Sequence, residues 1–337
     1  MKIKISHHDL RTIHPFGISR RTDQVFRNII VEISHQGHVG IGEAAPSEYY
    51  GESRETVLGV LPILETVMKA DPFQIEETAG RFSMAIGRNP AAKACLEMAL
   101  YDLAGKMLNA PLYKLLGLSP YMTPVTSYTI SLGNPDLIEA KLKDAAPFSV
   151  LKVKVGGPRD LETLGRIRAN TDKRIRVDAN GAWSPKEAVK RIRELCQFGI
   201  EFVEQPVQAS DIDGLRYVRE RVDIPIFADE SAVSPEDVVK LSGVVDGINL
   251  KLMKSGGICQ TLKMIHVARA QSMKLMIGCM IESSVGITAA AHLTPLVDYA
   301  DLDGNLLIDN DPFQGVKTEK GKLILPGKPG LGLEPAH

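Results

Sequence analysis

From about residue 121 the chain alternates short apolar runs with longer amphipathic stretches. Apolar runs near 124–130, 150–155, 174–178, 201–204, 225–229, 246–251, 274–279 and 299–303 predict eight strands. The segments between them have the length of a loop and a returning helix; 26 residues separate Asp178 from Glu204, and 25 separate Glu204 from Asp229. Alternating β and α units make a parallel sheet, and eight of them suit a closed (β/α)₈ barrel. Ahead of it, KIKISHHDL and VFRNIIVEISHQGHVGIGEA predict antiparallel strands, with Gln36-Gly37 as a turn between two of them. From about Ser53 to Leu116 the pattern becomes helical. In AAKACLEMALYDLAGKML, Cys95, Ala99, Leu103 and Met107 recur at intervals of four and predict one apolar helix face, punctuated by Pro111 and Gly117. The turn-rich tail, NLLIDNDPFQGVKTEKGKLILPGKPGLGL, predicts short strands packed back on the N-terminal part. The expected organisation is an α+β domain over 1–120, to which 305–337 returns, and a barrel over 121–304.

Composition narrows the partners. The chain has 337 residues, with 40 Lys+Arg against 41 Asp+Glu, so it carries no global basic field for nucleic acid or an anionic membrane. Cys95, Cys196, Cys259 and Cys279 show no CxxC spacing and predict free thiols in a reducing compartment. The segment MKIKISHHDLRTIH lacks the apolar stretch of a signal peptide, and no run approaches the roughly 18 apolar residues of a membrane span. A cytoplasmic protein acting on a small molecule is expected.

The chemistry lies where the strands end. Lys152 and Lys154, Asp178, Glu204, Asp229, Lys251, and Asp301 with Asp303 each fall at or just past the stop of an apolar run, on six of the eight strands. That place is the catalytic face of such a barrel. A single acidic residue there can serve as a helix cap. Three carboxylates on the neighbouring strands three, four and five repel one another unless a cation joins them. Oxygen-only ligands favour a hard ion such as Mg²⁺. Lys152 and Lys154, two apart, share a face; two ammonium groups side by side depress each other's pKa, which is one way to make a base. Lys251 ends strand six, across the barrel from strand two. Lys254 lies past that strand end, beside Gly256-Gly257, and is expected to be exposed.

A substrate held at the metal would thus lie between opposed lysines. That geometry suits proton removal from one face of a carbon and delivery to the other, hence racemisation or epimerisation. The same intermediate can instead expel a β-leaving group. The metal answers the weak acidity of a carbon beside a carboxylate, because a cation offsets the charge that develops there. Two further readings are a metal-free Schiff-base aldolase using a barrel lysine and a non-catalytic, metal-dependent ligand-binding barrel. Binding alone does not need two opposed bases.

KVK, VDAN, VEQP, ADE and NLKLMKSGG, in this order, resemble the muconate-lactonising-enzyme-like branch of the enolase superfamily. A lysine base with magnesium is a general pattern of that superfamily. The resemblance extends over nearly the whole chain. GEAAPSEYYGES and ALYDLAGKMLNAPLYKLLG resemble its capping domain, and the barrel is implied to be of the modified (β/α)₇β type. By position, the resemblance implies Asp178, Glu204 and Asp229 as ligands of Mg²⁺. It implies Lys154 as one acid/base, with Lys152 its electrostatic partner at the substrate carboxylate, and Lys251 as the other acid/base.

Asp301 and Asp303 in ADLDG resemble the pair that binds the free α-amino group in the dipeptide epimerases of this branch. CMIESSVGITAAAH is similar to the same group and turns Cys279 and Ile281 inward; Thr129 is a further family-type contact. PFGISRRTDQ, at 15–24, corresponds to the mobile loop over the site. Arg21 aligns with an arginine that binds the glutamate side chain in epimerases acting on Ala-Glu, with Arg20 beside it leaving the register open. Tyr49, Tyr50 and Glu52 are alternative lid contacts. The implied activity is inversion at the Cα of the C-terminal residue of a dipeptide, with L-Ala-L-Glu leading and hydrophobic or cationic dipeptides as alternatives. N-acylamino-acid racemisation and o-succinylbenzoate synthesis leave the aspartate pair unexplained, because those substrates lack a free amine. A homo-oligomer is left open.

Overall fold

Antiparallel strands β1 (Lys2–Gly17), β2 (Thr22–His35) and β3 (His38–Ala44) form the N-terminal sheet of the computed structural model, which describes residues 1–133 and 135–336. The β2–β3 turn is the expected Gln36-Gly37, at φ 47° and 80°. Two successive positive φ values match the twist of the flanking strands.

Helices α1 (Arg54–Val67), α2 (Ile75–Ala85) and α3 (Pro90–Met107) pack against this sheet, and the short α4 (Leu112–Leu115) follows. Here the expectation of a single apolar face on α3 fails. Buried positions run almost all the way round it and include the charged Glu97 and Asp102. The reason is position: β2 and β3, α1 and α2, and the barrel surround this helix. A fully enclosed helix carries no polar stripe.

Eight parallel strands follow in chain order: β4 (Tyr128–Ile130), β5 (Val150–Lys154), β6 (Arg174–Asp178), β7 (Ile200–Glu204), β8 (Ile226–Ala228), β9 (Gly247–Leu250), β10 (Lys274–Gly278) and β11 (Tyr299–Asp301). The sheet closes where Thr126 bridges Ala300 and Ser127 N donates to Ala300 O at 3.2 Å. The first strand is shorter than its apolar run because Val125 bridges to Lys322 of the tail instead of extending the ladder. Returning helices are α5 (Ile138–Asp144), α6 (Asp160–Asn170), α7 (Pro185–Leu195), α8 (Ile212–Arg219), α9 (Pro235–Lys240), the single turn α10 (Leu252–Ser255) with α11 (Ile258–Ala270), and α12 (Ser284–Ala291). Strand β11 leads into the tail without a returning helix, which makes the barrel (β/α)₇β.

Period-two alternation on the strands sorts the interior into layers. Phe202 and Phe227 stack with centroids 4.3 Å apart, and with Met276 and Tyr299 they form one apolar layer. Toward the C-terminal ends the inward positions become Lys152, Lys154, Asp178, Glu204 and Asn249, all buried. The tail touches both parts. Ile13 N donates to Leu307 O (2.9 Å), Leu331 N to Asp102 Oδ1 (2.7 Å), and Thr126 N to Gly321 O (2.7 Å). Among the described residues no helix is long and apolar enough to cross a membrane.

Candidate active site

Each chemical group arrives on its own strand end. In-register pairing of Lys154 with Asp178 and of Asp178 with Glu204 sets the lysine and two carboxylates side by side. Asp229 follows β8 directly. One carboxylate oxygen from each of Asp178, Glu204 and Asp229 lies within 4.8 Å of the others, and all three residues are buried. Four lysines reach this group. Lys152 Nζ lies 2.8 Å from Glu204 Oε2 and 3.1 Å from Asp178 Oδ2; Lys154 Nζ lies 2.6 Å from Asp178 Oδ2. From the opposite side Lys251 Nζ is 2.7 Å from Asp229 Oδ2 and Lys254 Nζ 2.6 Å from Asp229 Oδ1.

Neighbours orient the carboxylates. Asn249 Nδ2 donates to Glu204 Oε1 at 2.7 Å. Asn249 itself fits only because β10 ends in Gly278, where a Cβ would fall 2.8 Å from its Oδ1. Asn180 N donates to Asp178 Oδ1 (2.9 Å), and Gln205 Oε1 accepts from Asp229 N (2.9 Å). Both Asn180 and Gln205 hold positive φ, 47° and 37°, so the chain turns tightly just after each ligand-type residue. Such strained backbone tends to persist at functional sites.

A cavity of about 120 Å³ opens over this cluster, between the barrel mouth and the N-terminal domain. Lys152, Lys154, Asp229 and Lys251 line its floor; Thr129, Cys279, Ile281, Asp301 and Asp303 line one side. Ser127 Oγ and Lys152 Nζ donate to the two oxygens of Asp301, at 2.6 and 2.7 Å, and Thr129 N donates to Asp303 Oδ2 at 2.6 Å. Phe16, Ile18, Phe26, Tyr49, Tyr50 and both arginines cover the cavity from the N-terminal domain. Arg20 lies over the Tyr49 ring, 4.2 Å from its centroid, and donates to Asn180 O (2.6 Å) and Glu230 Oε1 (2.9 Å). Arg21 pairs with Asp23 Oδ2 (2.7 Å) and Glu48 Oε2 (2.9 Å) at the rim.

Burial and the neighbouring Asp178 carboxylate push the Glu204 carboxyl up to about 8, against the pull of Lys152. Burial also opposes the charged form of Asp229, but Lys251 and Lys254 outweigh it and hold that carboxyl well below its ordinary range. Asp303 is pushed up to about 7 by burial and by Asp301 beside it. Burial works against the Lys152 ammonium, yet Asp301, Glu204 and Asp178 around it raise its pKa well above the lysine value. The expectation that the two lysines depress one another therefore fails for Lys152, which is surrounded by carboxylates.

The chain matches the model for the mandelate racemase / muconate lactonizing enzyme N-terminal domain over residues 2–117 and that for the enolase C-terminal domain-like fold over 137–337. It belongs to the mandelate racemase / muconate lactonizing enzyme family. Within that family, a protein of Bacteroides thetaiotaomicron named L-Ala-D/L-Glu epimerase is 40% identical, across 99% of this chain and 88% of its own. The dipeptide epimerase of Enterococcus faecalis in complex with Mg and L-Leu-L-Tyr superposes with a TM-score of 0.93 at 35% identity, covering 99% of both chains. The substrate-liganded L-Ala-D/L-Glu epimerase of Bacillus subtilis gives the same TM-score and identity over 100% of this chain and 99% of its own.

The structure corrects two expectations about residues near the site. Lys254 is buried, 2% exposed, and sits on Asp229; α10 bends the chain back over the barrel mouth. Glu52 faces away from the cavity and accepts from Ala91 N at 3.1 Å, at the start of α3. Asn180, Gln205, Glu230 and Asn249 are site residues that sequence reasoning missed, although VDAN, VEQP, ADE and NLK all contain them.

Proposed function

We propose that this chain is a Mg²⁺-dependent dipeptide epimerase that inverts the Cα of the C-terminal residue, with L-Ala-L-Glu as leading substrate. The observation that carries the reading is one cavity lined by lysines from opposite sides, by Asp229 of the buried carboxylate cluster, and by the aspartate pair. The dipeptide epimerases among its relatives support it.

The residues fit a divalent ion. Asp178, Glu204 and Asp229 are buried, and all three converging donors are carboxylate oxygens within 4.8 Å of one another. Asp178, Glu204 and Asp229 would hold Mg²⁺, which supplies positive charge against the substrate carboxylate as the α-proton leaves. Lys152, wedged between the carboxylates and Asp301, would contact that substrate carboxylate. Lys154 and Lys251 would move the proton at Cα, one on each face. In the structure Asp229 holds the Lys251 pKa above its ordinary value despite burial. With the charge of Asp229 taken up by a cation, Lys251 would lose the contact that keeps its proton. Thr129, Cys279 and Ile281 would bound the dipeptide, and Asp301 with Asp303 would receive its ammonium.

N-acetylating the dipeptide is expected to cost about one to two decades in kcat/KM, the worth of a charge-assisted contact of roughly 1.5–3 kcal/mol. The penalty should shrink below about pH 7, where Asp303 gains its proton and loses the charge that attracts the amine. Kinetics with free and acetylated substrate across that range check this; equal rates at pH 8 would remove the aspartate pair from substrate binding.

A library of dipeptides scored for deuterium uptake from D₂O tests the reading as a whole. A second specificity, for hydrophobic dipeptides, is favoured by the pairing of Arg21 with Asp23 and Glu48 and by the Phe16, Phe26 and Tyr49 wall. Under the Ala-Glu reading, Arg21→Ala lowers kcat/KM for L-Ala-L-Glu about tenfold or more and spares L-Ala-L-Leu. Preference of the wild type for Leu- or Lys-ending dipeptides would end the Ala-Glu assignment and leave the epimerase assignment standing. Turnover of N-acylated amino acids only would end both.

A further inference from the structure

Two carboxylates of the N-terminal domain reach across to the barrel and stop at the helices that follow β9 and β10. Glu97, on α3, is 1% exposed, and its Oε1 accepts from Cys259 N at 2.7 Å, in the first turn of α11. The backbone is shaped around it: a Cβ on Gly257 would fall 2.6 Å from Oε1, and Gly257 holds φ 124°. Glu43, at the end of β3, accepts from Ser283 N (3.0 Å), Ser283 Oγ (2.7 Å) and Gly286 N (2.9 Å), at the start of α12. Asn28 Nδ2 ties the same carboxylate (2.8 Å) to Ile281 O (3.0 Å). Neither glutamate lines the cavity.

The stretch from Lys251 to Cys259 is one continuous device. Ser255 N donates to Lys251 O (3.0 Å), Gly257 N donates to Leu252 O (3.1 Å), and α11 begins at Ile258. Glu97 thus grips the far end of a single turn whose near end carries Lys251 and whose body carries Lys254. Both ammonium groups rest on Asp229. A local Ser or Asp before α11 would satisfy its first amides equally well. Here Gly256-Gly257 leaves that place open, and the acceptor comes from another domain.

We propose that Glu97 is a positioning residue for Lys251 and Lys254, so that the N-terminal domain sets the acid/base on one side of the cavity, while Glu43 sets the opposite wall at Cys279–Ile281. This rests on the assignment of Lys251 as an acid/base. Burial pushes the Glu97 carboxyl up to about 7, and either protonation state leaves an oxygen to accept the Cys259 amide. Glu97→Gln is therefore the conservative rescue.

The test follows α-deuterium uptake from D₂O into L-Ala-L-Glu and L-Ala-D-Glu separately, with Lys251→Ala identifying the epimer that Lys251 deprotonates. Glu97→Ala is expected to slow uptake into that epimer about ten- to a hundredfold more than into the other, the scale of a small misplacement of a reacting group. Glu97→Gln restores the ratio, and Glu43→Ala raises KM for both epimers without changing it. Where Glu97→Ala fails to fold, Glu97→Asp, which withdraws the carboxylate by one methylene, should shift the ratio in the same direction. Amide hydrogen exchange on the metal-free protein gives a readout independent of turnover: residues 252–259 exchange faster in Glu97→Asp, and β5 does not. Wild-type failure to epimerise any dipeptide would overturn the functional reading and leave the exchange experiment as the test of Glu97. Equal slowing for both epimers, or unchanged exchange over 252–259 in Glu97→Asp, would overturn the proposal.

Discussion

Lys251→Ala and Lys154→Ala are each expected to abolish epimerisation, lowering kcat by about 10²–10⁴-fold or more, the range for loss of a general acid or base. The two variants differ in what survives. Lys154 leans on Asp178 and Lys251 on Asp229, from opposite sides of the carboxylate cluster. A substrate Cα between them offers each lysine one face. Inversion needs both, because one removes the proton and the other delivers it. Exchange of the α-proton with solvent needs only the lysine that faces it. Each variant should therefore retain exchange with a single epimer, and the two variants should retain opposite ones. Separate D₂O measurements on L-Ala-L-Glu and L-Ala-D-Glu decide this. Wild-type epimerisation by Lys251→Ala would sink the two-base reading.

Exhaustive chelation should remove activity, and Glu204→Gln should weaken Mg²⁺ binding by more than about a hundredfold, beyond the 10–100-fold typical of outer-shell partners. The fold should survive that substitution. Burial and Asp178 push the Glu204 carboxyl from its ordinary value up to about 8, so the metal-free protein favours its neutral form. The sign follows. A carboxyl raised on folding contributes stability that is present below its unfolded pKa and is lost as pH rises through about 8. The amide is neutral throughout, so metal-free Glu204→Gln should match or exceed the wild-type Tm at pH 8 and above. Calorimetric titration with Mg²⁺ and thermal unfolding without it check the two halves. Full turnover with no metal detectable by elemental analysis would remove the ion from the mechanism. Unchanged Mg²⁺ affinity in Glu204→Gln would remove Glu204 from its site.

Local pattern carried much of this protein. The side-chain period of two separates the apolar layer at Phe202 and Phe227 from the charged positions at Lys154, Asp178 and Glu204, and both are readable as runs that end in an ionisable residue. The Gln36-Gly37 turn was legible for the same reason, since its chemistry is confined to two residues. These features depend on neighbours along the chain, so the sequence by itself determines them.

What the sequence left undecided depends on elements far apart in it. Lys254 reads as exposed until α10 folds back onto Asp229. The choice between Arg20 and Arg21 turns on which guanidinium meets Glu230 and which meets Asp23 and Glu48, a matter of how one loop lies on the barrel mouth. Asn249 becomes a partner of Glu204 only because Gly278, on the next strand, leaves room for it. Glu97 and Asp102 look like solvent-facing helix charges, yet packing encloses α3, and their acceptors meet amides more than 150 residues away along the chain. A buried carboxylate is tolerated where donors meet it, and only the tertiary structure decides where those donors are.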